Sequence, residues 1–372
     1  MGDDRLTRAA YHVAHTAYVP TRGSATARAE QHAKRTGKLD PLVDPAEYGV
    51  IRRSLIRFDQ RPDGLYVVTV GLPVPIEIRL DTTGSMGSNV DKALRVLPDT
   101  YELASRVLPG CDPHMAIGIF GDRSDNFILC RPQFEMTADK LVHQLTLMVP
   151  EREGGDAPED PHYGIFGAAY LTAAYINRIG LKRYDFTVSD APARDRLNPT
   201  EIVRVFGKDV YDKVAENDHQ IVPHVTLHTK DVVNDLLAQA HAFFLQVGDS
   251  SSTRAFWTDL FGPERVVLLP SVELLPQVQA AIIGLTEGTL DPDQLTEFLS
   301  ETGVDQRDAK AIVRSVINIP IAAQAALPNF ERRPKVGDVF HEKTDLWPMD
   351  PSEVPALTEA PDESVDNGPE WL

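Results

Sequence analysis

The residue types best suited to chemistry occur in the segment D-T-T-G-S-M-G, residues 81–87, which follows an apolar run. Asp81, Thr83 and Ser85 alternate in this segment, so a tight turn can aim one carboxylate and two hydroxyl groups at one point. Sets of oxygen donors suit hard cations such as Mg²⁺, which keeps octahedral geometry and several bound waters. The spacing therefore favours a divalent-cation site. The alternative is a Ser/Thr-rich turn that caps the next helix.

Two further segments bring acidic side chains. G-G-D-A-P-E-D, residues 154–160, is a glycine-rich acidic loop, and D-F-T-V-S-D-A-P, residues 185–192, is a strand that ends in an acid. If the strands near the three segments are parallel, the segments lie at the same edge of the sheet, where ligands bind in such folds. Three loops that bring oxygen ligands to one edge are typical of a metal site.

The alternation of apolar runs with helical patterns predicts the elements that hold these loops. Strands are expected at residues 67–70, 75–80, 115–120, 127–130, 184–188, 242–247 and 266–269. Helices are expected at residues 90–108, 137–148, 163–179, 251–261 and 271–285. Pro98 should bend or split the first helix. This order predicts the α/β class, with a doubly wound, mostly parallel central sheet and helices on both faces.

The composition along the chain predicts four segments. Residues 1–45 form an arm that is flexible or packed on a partner, and residues 46–288 form the α/β domain. Residues 289–327 form a small helical appendage. Residues 328–372 form an acidic, proline-rich tail that we expect to lack regular structure.

The overall composition limits the classes of function. The chain of 372 residues is 42% hydrophobic and 25% charged, as in globular proteins. Its net charge of −18 repels phosphate backbones, so nucleic acid is not an expected partner. We find no apolar run long enough to span a bilayer and no secretory signal pattern, so we expect no membrane partner. The two cysteines cannot form a disulfide framework, which favours a cytoplasmic location.

Other acidic residues near these segments are expected to have structural roles. We expect Glu159 and Asp160 to cap the helix that follows them, and Asp122 and Asp125 to form a turn. The sequence contains neither a G-x-S-x-G motif nor a Walker lysine loop, so two common kinds of catalytic site are not indicated.

A group of histidines offers a weaker candidate for a metal site. His219, His224, His228 and His241 are close in sequence, and the spacing of the middle two would suit zinc on a helix. The segment V-P-H-V-T-L-H predicts extended chain instead, because its proline opposes a helix. We therefore expect solvated or strand-end histidines.

The order D-x-T-x-S, then G-G-D-x-P-E, then S-D-A-P at a strand end resembles von Willebrand factor A-type (vWA) domains. It is most similar to their bacterial and intracellular branch, which has D-T-T-G-S-M. The resemblance covers about residues 66–288 of the predicted domain. It implies a vWA/Rossmann-like sheet with a metal-ion-dependent adhesion site (MIDAS) at one edge.

The resemblance also implies a role for each residue at the matching positions. Asp81, Thr83 and Ser85 form the first loop of the metal site, Asp156 stands where many members have Thr, and Asp190 is the acid of the third loop. In the family the hydroxyl groups usually touch the ion, which here would be Mg²⁺, or Mn²⁺ or Ca²⁺. An acidic residue of the partner completes the coordination.

Two positions depart from the family pattern. Thr83 replaces the usual Ser but keeps the hydroxyl group, whereas Asp156 adds a negative charge beside the ion. The extra charge should hold the cation more firmly and make it less attractive to a carboxylate of a partner. A structural ion is therefore an alternative to one that captures a ligand.

Three functions follow as hypotheses. The first is a non-enzymatic, metal-dependent protein-binding module within an intracellular assembly, with an AAA+ ATPase as one partner that the resemblance suggests. The second is a Mg²⁺-dependent phosphotransferase similar to haloacid dehalogenases, because D-T-T-G-S resembles their D-K-T-G-T loop and would make Asp81 the nucleophile. The third is a structural scaffold that acts through its termini.

Overall fold

The computed structural model describes residues 28–47, 49–150 and 158–341. Predictions for the remaining residues lie outside the described part of the chain. They include the first part of the arm, most of the acidic tail and the acidic loop with Asp156.

The described residues form thirteen strands and thirteen helices, several of them very short. The strands are β1 (Arg52–Ser54), β2 (Phe58–Gln60), β3 (Tyr66–Val68), β4 (Leu72–Asp81), β5 (Cys111–Phe120), β6 (Leu129–Cys130), β7 (Thr172–Ala174), β8 (Arg183–Ser189), β9 (Arg196–Leu197), β10 (Leu227–His228), β11 (Ala240–Gln246), β12 (Val266–Leu268) and β13 (Val339–Phe340). The helices are α1 (28–36), α2 (Asn89–Val96), α3 (Asp99–Val107), α4 (Ala138–Thr146), α5 (Pro161–Tyr170), α6 (Tyr175–Arg178), α7 (Pro199–Phe206), α8 (Val210–Glu216), α9 (Thr229–Gln239), α10 (Ser251–Phe261), α11 (Leu275–Glu287), α12 (Pro292–Glu301) and α13 (Gln306–Val316). Short 3₁₀ turns occur at Gly84–Met86, Pro263–Arg265, Val272–Leu274 and Phe330–Arg332.

The central sheet has the strand order β12-β11-β8-β4-β5-β6. All neighbouring strands are parallel except β6, which runs antiparallel to β5 at one edge. Read from that edge, this is the doubly wound order 3-2-1-4-5-6. One apolar cluster covers one face with α2, α3 and α11, and a second covers the other face with α5, α9 and α10. The predicted α/β class, with a doubly wound, mostly parallel sheet and helices on both faces, is confirmed.

Strand β4 is buried on both faces, although its sequence alternates apolar and polar residues. Ile76, Ile78 and Leu80 belong to the cluster that contains α3 and α11. Glu77 and Arg79 point to the opposite face, where the Arg79 guanidinium approaches the backbone of α5. The apolar residues of β4 therefore face the core, and its polar residues face a buried polar layer on the other side of the sheet instead of solvent.

Two ion pairs neutralise the acidic residues of this polar layer. Arg79 pairs with Asp185 of β8, with Nη1 3.0 Å from Oδ2. Arg131 pairs with Glu77, with 2.8 Å between Nε and Oε1 and 3.1 Å between Nη2 and Oε2. Burial alone would raise the pKa of Glu77, but the charge and hydrogen bonds of Arg131 hold it at about 2. Such layers persist only when each buried charge has a partner.

The small residues of α5 make room for these arginines. A Cβ atom on Gly164 would lie 2.4 Å from Cδ of Arg79, and one on Gly167 would lie 3.1 Å from Nε of Arg131. The sequence P-H-Y-G-I-F-G-A-A-Y therefore places glycine where the helix backbone meets the arginine side chains.

The helix predicted at residues 163–179 is interrupted, because β7 separates α5 from the short helix α6. Arg131 donates Nη1 to the carbonyl of Leu171 and Nη2 to the hydroxyl of Thr172. The Leu171 carbonyl also accepts the backbone N–H of Arg52, and β7 pairs with β1 in parallel. These tertiary contacts override the local helical pattern. Helices α7, α8 and α9 were also not predicted.

Other predicted elements are found close to their expected positions. Pro98 separates α2 from α3, as its position in the predicted helix indicated. Strands β5 and β6 lie close to the strands expected at residues 115–120 and 127–130, and they form an antiparallel pair. Asp291 and Asp305 cap α12 and α13, whose apolar faces pack into the same cluster as α11.

The described parts of both terminal segments pack on the domain. Ala33 and Val43, within the predicted arm, are buried in the core. In the predicted tail, β13 pairs with β3 and Phe340 packs against the same cluster, so this part has some regular structure. No helix of the described ranges has both the length and the apolar character needed to cross a membrane.

We predict that Gly164→Ala destabilises the protein by about 1–3 kcal/mol, because overpacking next to a fixed side chain costs this much. Asp185 holds the guanidinium of Arg79, so the crowded Cδ atom cannot move away freely. Denaturation with guanidinium chloride measures the change. Gly167→Ala is the graded comparison, since its new contacts are longer. If Gly164→Ala instead gains the stability that alanine usually gives a helix, the packing argument is wrong.

Candidate metal site

Strands β4 and β8 end side by side at the carboxyl edge of the sheet. Their register pairs Leu80 with Val188, so the next residues, Asp81 and Ser189, are neighbours. Both side chains are 0% exposed. This pairing brings the first and third predicted loops together.

The Asp81 carboxylate is fixed by hydrogen bonds to both of its oxygens. Oδ1 accepts the backbone N–H of Thr83 at 2.8 Å and its hydroxyl at 2.6 Å. Oδ2 accepts the hydroxyl of Ser189. Burial raises the pKa of Asp81 to about 6, although the hydrogen bonds from Ser189 and Thr83 act in the opposite direction. Asp81 is therefore an anchor for two loops.

A chain of polar contacts runs from this anchor to the surface. The hydroxyl oxygens of Thr83 and Ser85 are 3.3 Å apart, and Ser85 donates its hydroxyl to Oδ1 of Asp190 at 2.9 Å. Ser85 is exposed and Asp190 is half-buried, whereas Thr83 is buried. The structure thus brings together Asp81, Thr83, Ser85 and Asp190, as the sequence predicted for the metal site, while Asp156 lies outside the described residues.

Helix α10 holds the third loop in place. The hydroxyl of Thr253 donates to the carbonyl of Asp190 at 3.1 Å, and Nε1 of Trp257 donates to the carbonyl of Ala191 at 3.0 Å. Ser250 caps this helix by accepting the backbone N–H of Thr253. The position of Asp190 is therefore set by the sheet on one side and by α10 on the other.

Sequence reasoning missed Glu159 as a residue of this site. Its side chain is 5% exposed, and Oε2 has no hydrogen-bond partner among the described residues. Burial, together with the charges of neighbouring acids, Asp81 and Asp190 among them, raises the pKa of Glu159 to about 8. The backbone of Glu159 pairs with the third loop, accepting the N–H of Arg194. No local sequence signal shows this contact.

The expected capping role of Glu159 and Asp160 is wrong, because no side chain caps the start of α5. Asp160 instead accepts the backbone N–H of Arg123 at 2.6 Å and forms an ion pair with Arg194 at 3.1 Å. Arg194 also pairs with Asp122 at 3.0 Å. These two acids have a cation, whereas Glu159 has none in the described part of the chain.

The turn predicted around Asp122 is confirmed, since Oδ2 of Asp125 accepts the backbone N–H of Asp122 at 2.8 Å. This turn follows β5 and lies next to the other acidic residues at the carboxyl edge of the sheet.

The donors at this edge fit a hard divalent cation. They are the hydroxyl groups of Thr83 and Ser85 with the carboxylates of Asp190 and Glu159, all oxygen. Without a cation the buried carboxyl group of Glu159 keeps its proton up to about pH 8, and a bound cation would favour its charged form. A group of three His, Cys, Asp or Glu side chains arranged for a metal is not found among the described residues, so an ion here would depend on hydroxyl donors.

The four histidines do not form a second metal site within the described residues. His224 and His228 are exposed, as expected. His219 packs against the ring of Tyr170, and His241 is buried on β11 with Nε2 2.9 Å from the amide oxygen of Gln324.

A Ser–His–Asp arrangement occurs near the amino ends of the strands, at the opposite edge of the sheet from the candidate metal site. The hydroxyl of Ser54 is 2.9 Å from Nδ1 of His114, and Nε2 of His114 is 3.5 Å from Oδ2 of Asp112. Ser54 is only 1% exposed, so a substrate could not reach its hydroxyl. These contacts tie β1 to β5 and indicate a structural role.

The chain was compared with known protein families, curated proteins and solved structures. No family model matches the chain, and no curated protein matches it. Solved structures similar to it include proximal thread matrix protein 1 (PTMP1) from the mussel byssus, with a TM-score of 0.36 and 13% identity over 59% of this chain and 47% of that chain. The pilus adhesin SpaC from Lactobacillus rhamnosus GG has a TM-score of 0.37 and 12% identity over 63% of this chain and 34% of that chain.

A third similar structure is a von Willebrand factor type A protein from Catenulispora acidiphila, with a TM-score of 0.33 and 11% identity over 59% of this chain and 44% of that chain. A further PTMP1 structure is described with a zinc-occupied MIDAS motif. The matched regions span less than half of each of these chains. At these scores the likenesses carry no argument about function, and the strand order and register of the chain itself establish its fold.

Proposed function

We propose that this protein is a binding module of the vWA type that docks a protein partner through a divalent cation, in the first instance Mg²⁺. The observation that carries the proposal is the hydrogen bond from Ser85 to Asp190, which joins the first and third loops near the buried side chain of Glu159. Oxygen donors from separate loops then lie close together, and such donors suit a divalent cation.

The exposure of the proposed donors shows which side of the site is open to solvent. Asp81 and Thr83 are buried beneath it, whereas Ser85 is exposed and Asp190 is half-buried. An ion held by Thr83, Ser85, Asp190 and Glu159 would therefore face solvent on one side. When bound, such an ion supplies a Lewis-acidic position that an oxygen atom of a partner can occupy. Asp156 stays a predicted additional ligand.

The proposed setting is a cytoplasmic multi-protein assembly, and an AAA+ ATPase is one candidate partner. Only the family resemblance of the three motifs supports this part of the proposal. The scaffold alternative assigns binding to the terminal segments instead, and variants of Ser85 distinguish the two.

The phosphotransferase alternative is less consistent with the geometry. A nucleophilic carboxylate needs an oxygen that faces its substrate, but Asp81 is 0% exposed and both of its oxygens accept hydrogen bonds. The proposal therefore assigns Asp81 a positioning role.

We predict that Mg²⁺ raises the melting temperature of EDTA-treated protein. Binding at 100 times Kd adds about 2.7 kcal/mol, and each kcal/mol raises Tm by about 2–4 °C in a domain of this size. Ser85→Ala and Asp190→Asn should remove most of this gain, because each removes a proposed donor. Ser88→Ala is the matched control, since Ser88 is exposed in the same segment and makes no side-chain cap. Equal gains in all variants would contradict the site.

Glu159→Gln should have opposite effects with and without metal. In EDTA at pH 7 it should stabilise the protein, because the buried carboxyl group of Glu159 must keep a proton that it would lose in the unfolded chain, whereas glutamine needs none, an effect on the order of 1 kcal/mol. It should also reduce the gain from Mg²⁺. Asp160→Asn provides the contrast, since it breaks an ion pair with Arg194 and should destabilise the protein in EDTA. Thermal unfolding of each variant and of the wild-type protein, in EDTA and in Mg²⁺, measures both effects. A less stable Glu159→Gln protein in EDTA would refute the role of Glu159.

Partner binding should depend on the ion site. We predict that proteins retained by the wild-type chain from its own cells are lost with Ser85→Ala or with EDTA, and kept with Ser88→Ala. Quantitative mass spectrometry of the retained fractions measures this. Retention that ignores Ser85 but follows removal of residues 1–27 or 342–372, which leaves the packed parts of both terminal segments in place, would favour the scaffold alternative.

A further inference from the structure

We propose that a cavity near the amino end of β8 is the docking site for residues 345–350 (D-L-W-P-M-D) of the same chain, with Trp347 as the anchor. The segment lies outside the described residues, and the cavity is lined by Ile179, which precedes the start of β8 by four residues. This inference is independent of the proposed cation site at the carboxyl edge of the sheet. It assigns a binding surface to the opposite edge.

The cavity has the size and the lining that a large apolar side chain requires. Its volume is about 370 Å³, and binding pockets begin at about 300 Å³. Ile179, Pro334 and Phe340 supply apolar walls, together with Tyr175, which also belongs to the apolar core. Burying an aromatic side chain in such a space removes a large apolar area from water. The size and the lining therefore favour one aromatic anchor.

Two polar groups that line the cavity have no partner in the described part of the chain. Tyr175 is 1% exposed, and its hydroxyl makes no hydrogen bond there, although a buried tyrosine hydroxyl usually finds a partner. Arg332 is exposed, and its guanidinium forms no ion pair or hydrogen bond with a described residue. Asp338 also lines the cavity, but its carboxylate already accepts the backbone N–H of Lys335 at 2.8 Å. The cavity thus offers a hydroxyl group and a positive charge to an occupant.

The segment that follows β13 matches these features in its chemistry. Its apolar residues are Leu346, Trp347 and Met349, and they stand between two acids, Asp345 and Asp350. An indole ring suits the apolar walls, and its N–H can donate to a tyrosine hydroxyl oxygen. A carboxylate beside the indole suits a guanidinium. An aromatic residue flanked by acids is therefore complementary to both of the unpartnered groups.

The segment is also tethered within reach of the cavity. Phe340 is part of the cavity wall, and Trp347 follows it by seven residues. Seven extended residues span up to about 24 Å, so the segment can reach the cavity without any change in the pairing of β13 with β3. A short tether gives an effective concentration on the order of 1 mM, which a separate peptide would have to match in solution. The same chain is therefore favoured as the occupant over a separate partner.

Acrylamide quenching of tryptophan fluorescence in the full-length protein tests the docking. The chain has three tryptophans, and Trp257 is 0% exposed. In a Trp371→Phe background, the difference between proteins with and without Trp347→Phe reports Trp347 alone. We expect Trp347 to be quenched less in the folded protein than in urea, and to emit at shorter wavelength, because docking shields the indole from water and from the quencher.

Two cavity variants and a matched control connect this protection to the cavity. The quenching constant, with its value in urea as the limit for the free segment, gives the ratio of docked to free segment. Arg332→Glu should lower this ratio by about tenfold, since it removes a charge-assisted bond, and Tyr175→Phe should lower it by about fivefold. Lys335→Glu makes the same change of charge at an exposed residue outside the cavity lining, so the ratio should stay within about twofold of wild type. Circular dichroism spectra establish that each variant is folded, and the exposed position of Arg332 keeps the test valid if Tyr175→Phe does not fold.

Three results would overturn the inference. The first is quenching of Trp347 that is as strong in the folded protein as in urea, which would leave the cavity to another occupant. The second is an equal effect of Arg332→Glu and Lys335→Glu, which would reduce the attraction to general charge. The third is protection that increases with protein concentration, which would assign the cavity to the segment of a second copy. Because EDTA should change none of these readouts, failure here is distinguishable from failure of the cation site.

Discussion

The burial of the Asp81 carboxylate is the constraint around which the site is arranged. A carboxylate at the end of a fully buried strand must receive hydrogen bonds or lose its charge. Thr83 and Ser189 supply these bonds from the two neighbouring loops. Because the donors belong to different strands, satisfying one acid fixes the first and third loops relative to each other. The more exposed contact between Ser85 and Asp190 follows from this arrangement.

The alignment of β4 with β8 depends in turn on the polar layer beneath α5. In the register of the two strands Glu77 lies beside Asp185, which alone would repel. Arg131 and Arg79 each neutralise one of these acids, and the glycines of α5 allow the helix to cover them. A shift of one residue would turn every charge in this layer toward the apolar core. The same register places Asp81 beside Ser189, so the ion pairs and the site share one cause.

The sequence was sufficient to predict the central sheet and the first and third loops of the candidate site. Apolar runs that end in D-T-T-G-S and in S-D-A-P predicted strand ends, and parallel topology required them to meet at one edge. Local patterns could not show that α5 ends before β7, because that end depends on Arg131, a residue 40 positions away. The role of Glu159 was missed for the same reason, since the nearest acids come from other strands and loops. Both errors concern contacts between residues that are distant in sequence, which composition and periodicity do not reveal.

Glu159 and Asp160 show how position decides the role of two adjacent acids. Both are buried, but Asp160 meets Arg194 and a backbone N–H, whereas no described residue donates a hydrogen bond to Oε2 of Glu159. Burying a lone charge among like charges is unfavourable unless a cation is present. Arg194 already serves Asp160 and Asp122, so in the described structure Glu159 avoids a lone charge by keeping its proton, with its pKa raised to about 8. A positive charge beside it would favour its ionised form. A small, hard cation beside the hydroxyl groups of Thr83 and Ser85 would provide that charge without displacing any hydrogen bond that anchors Asp81.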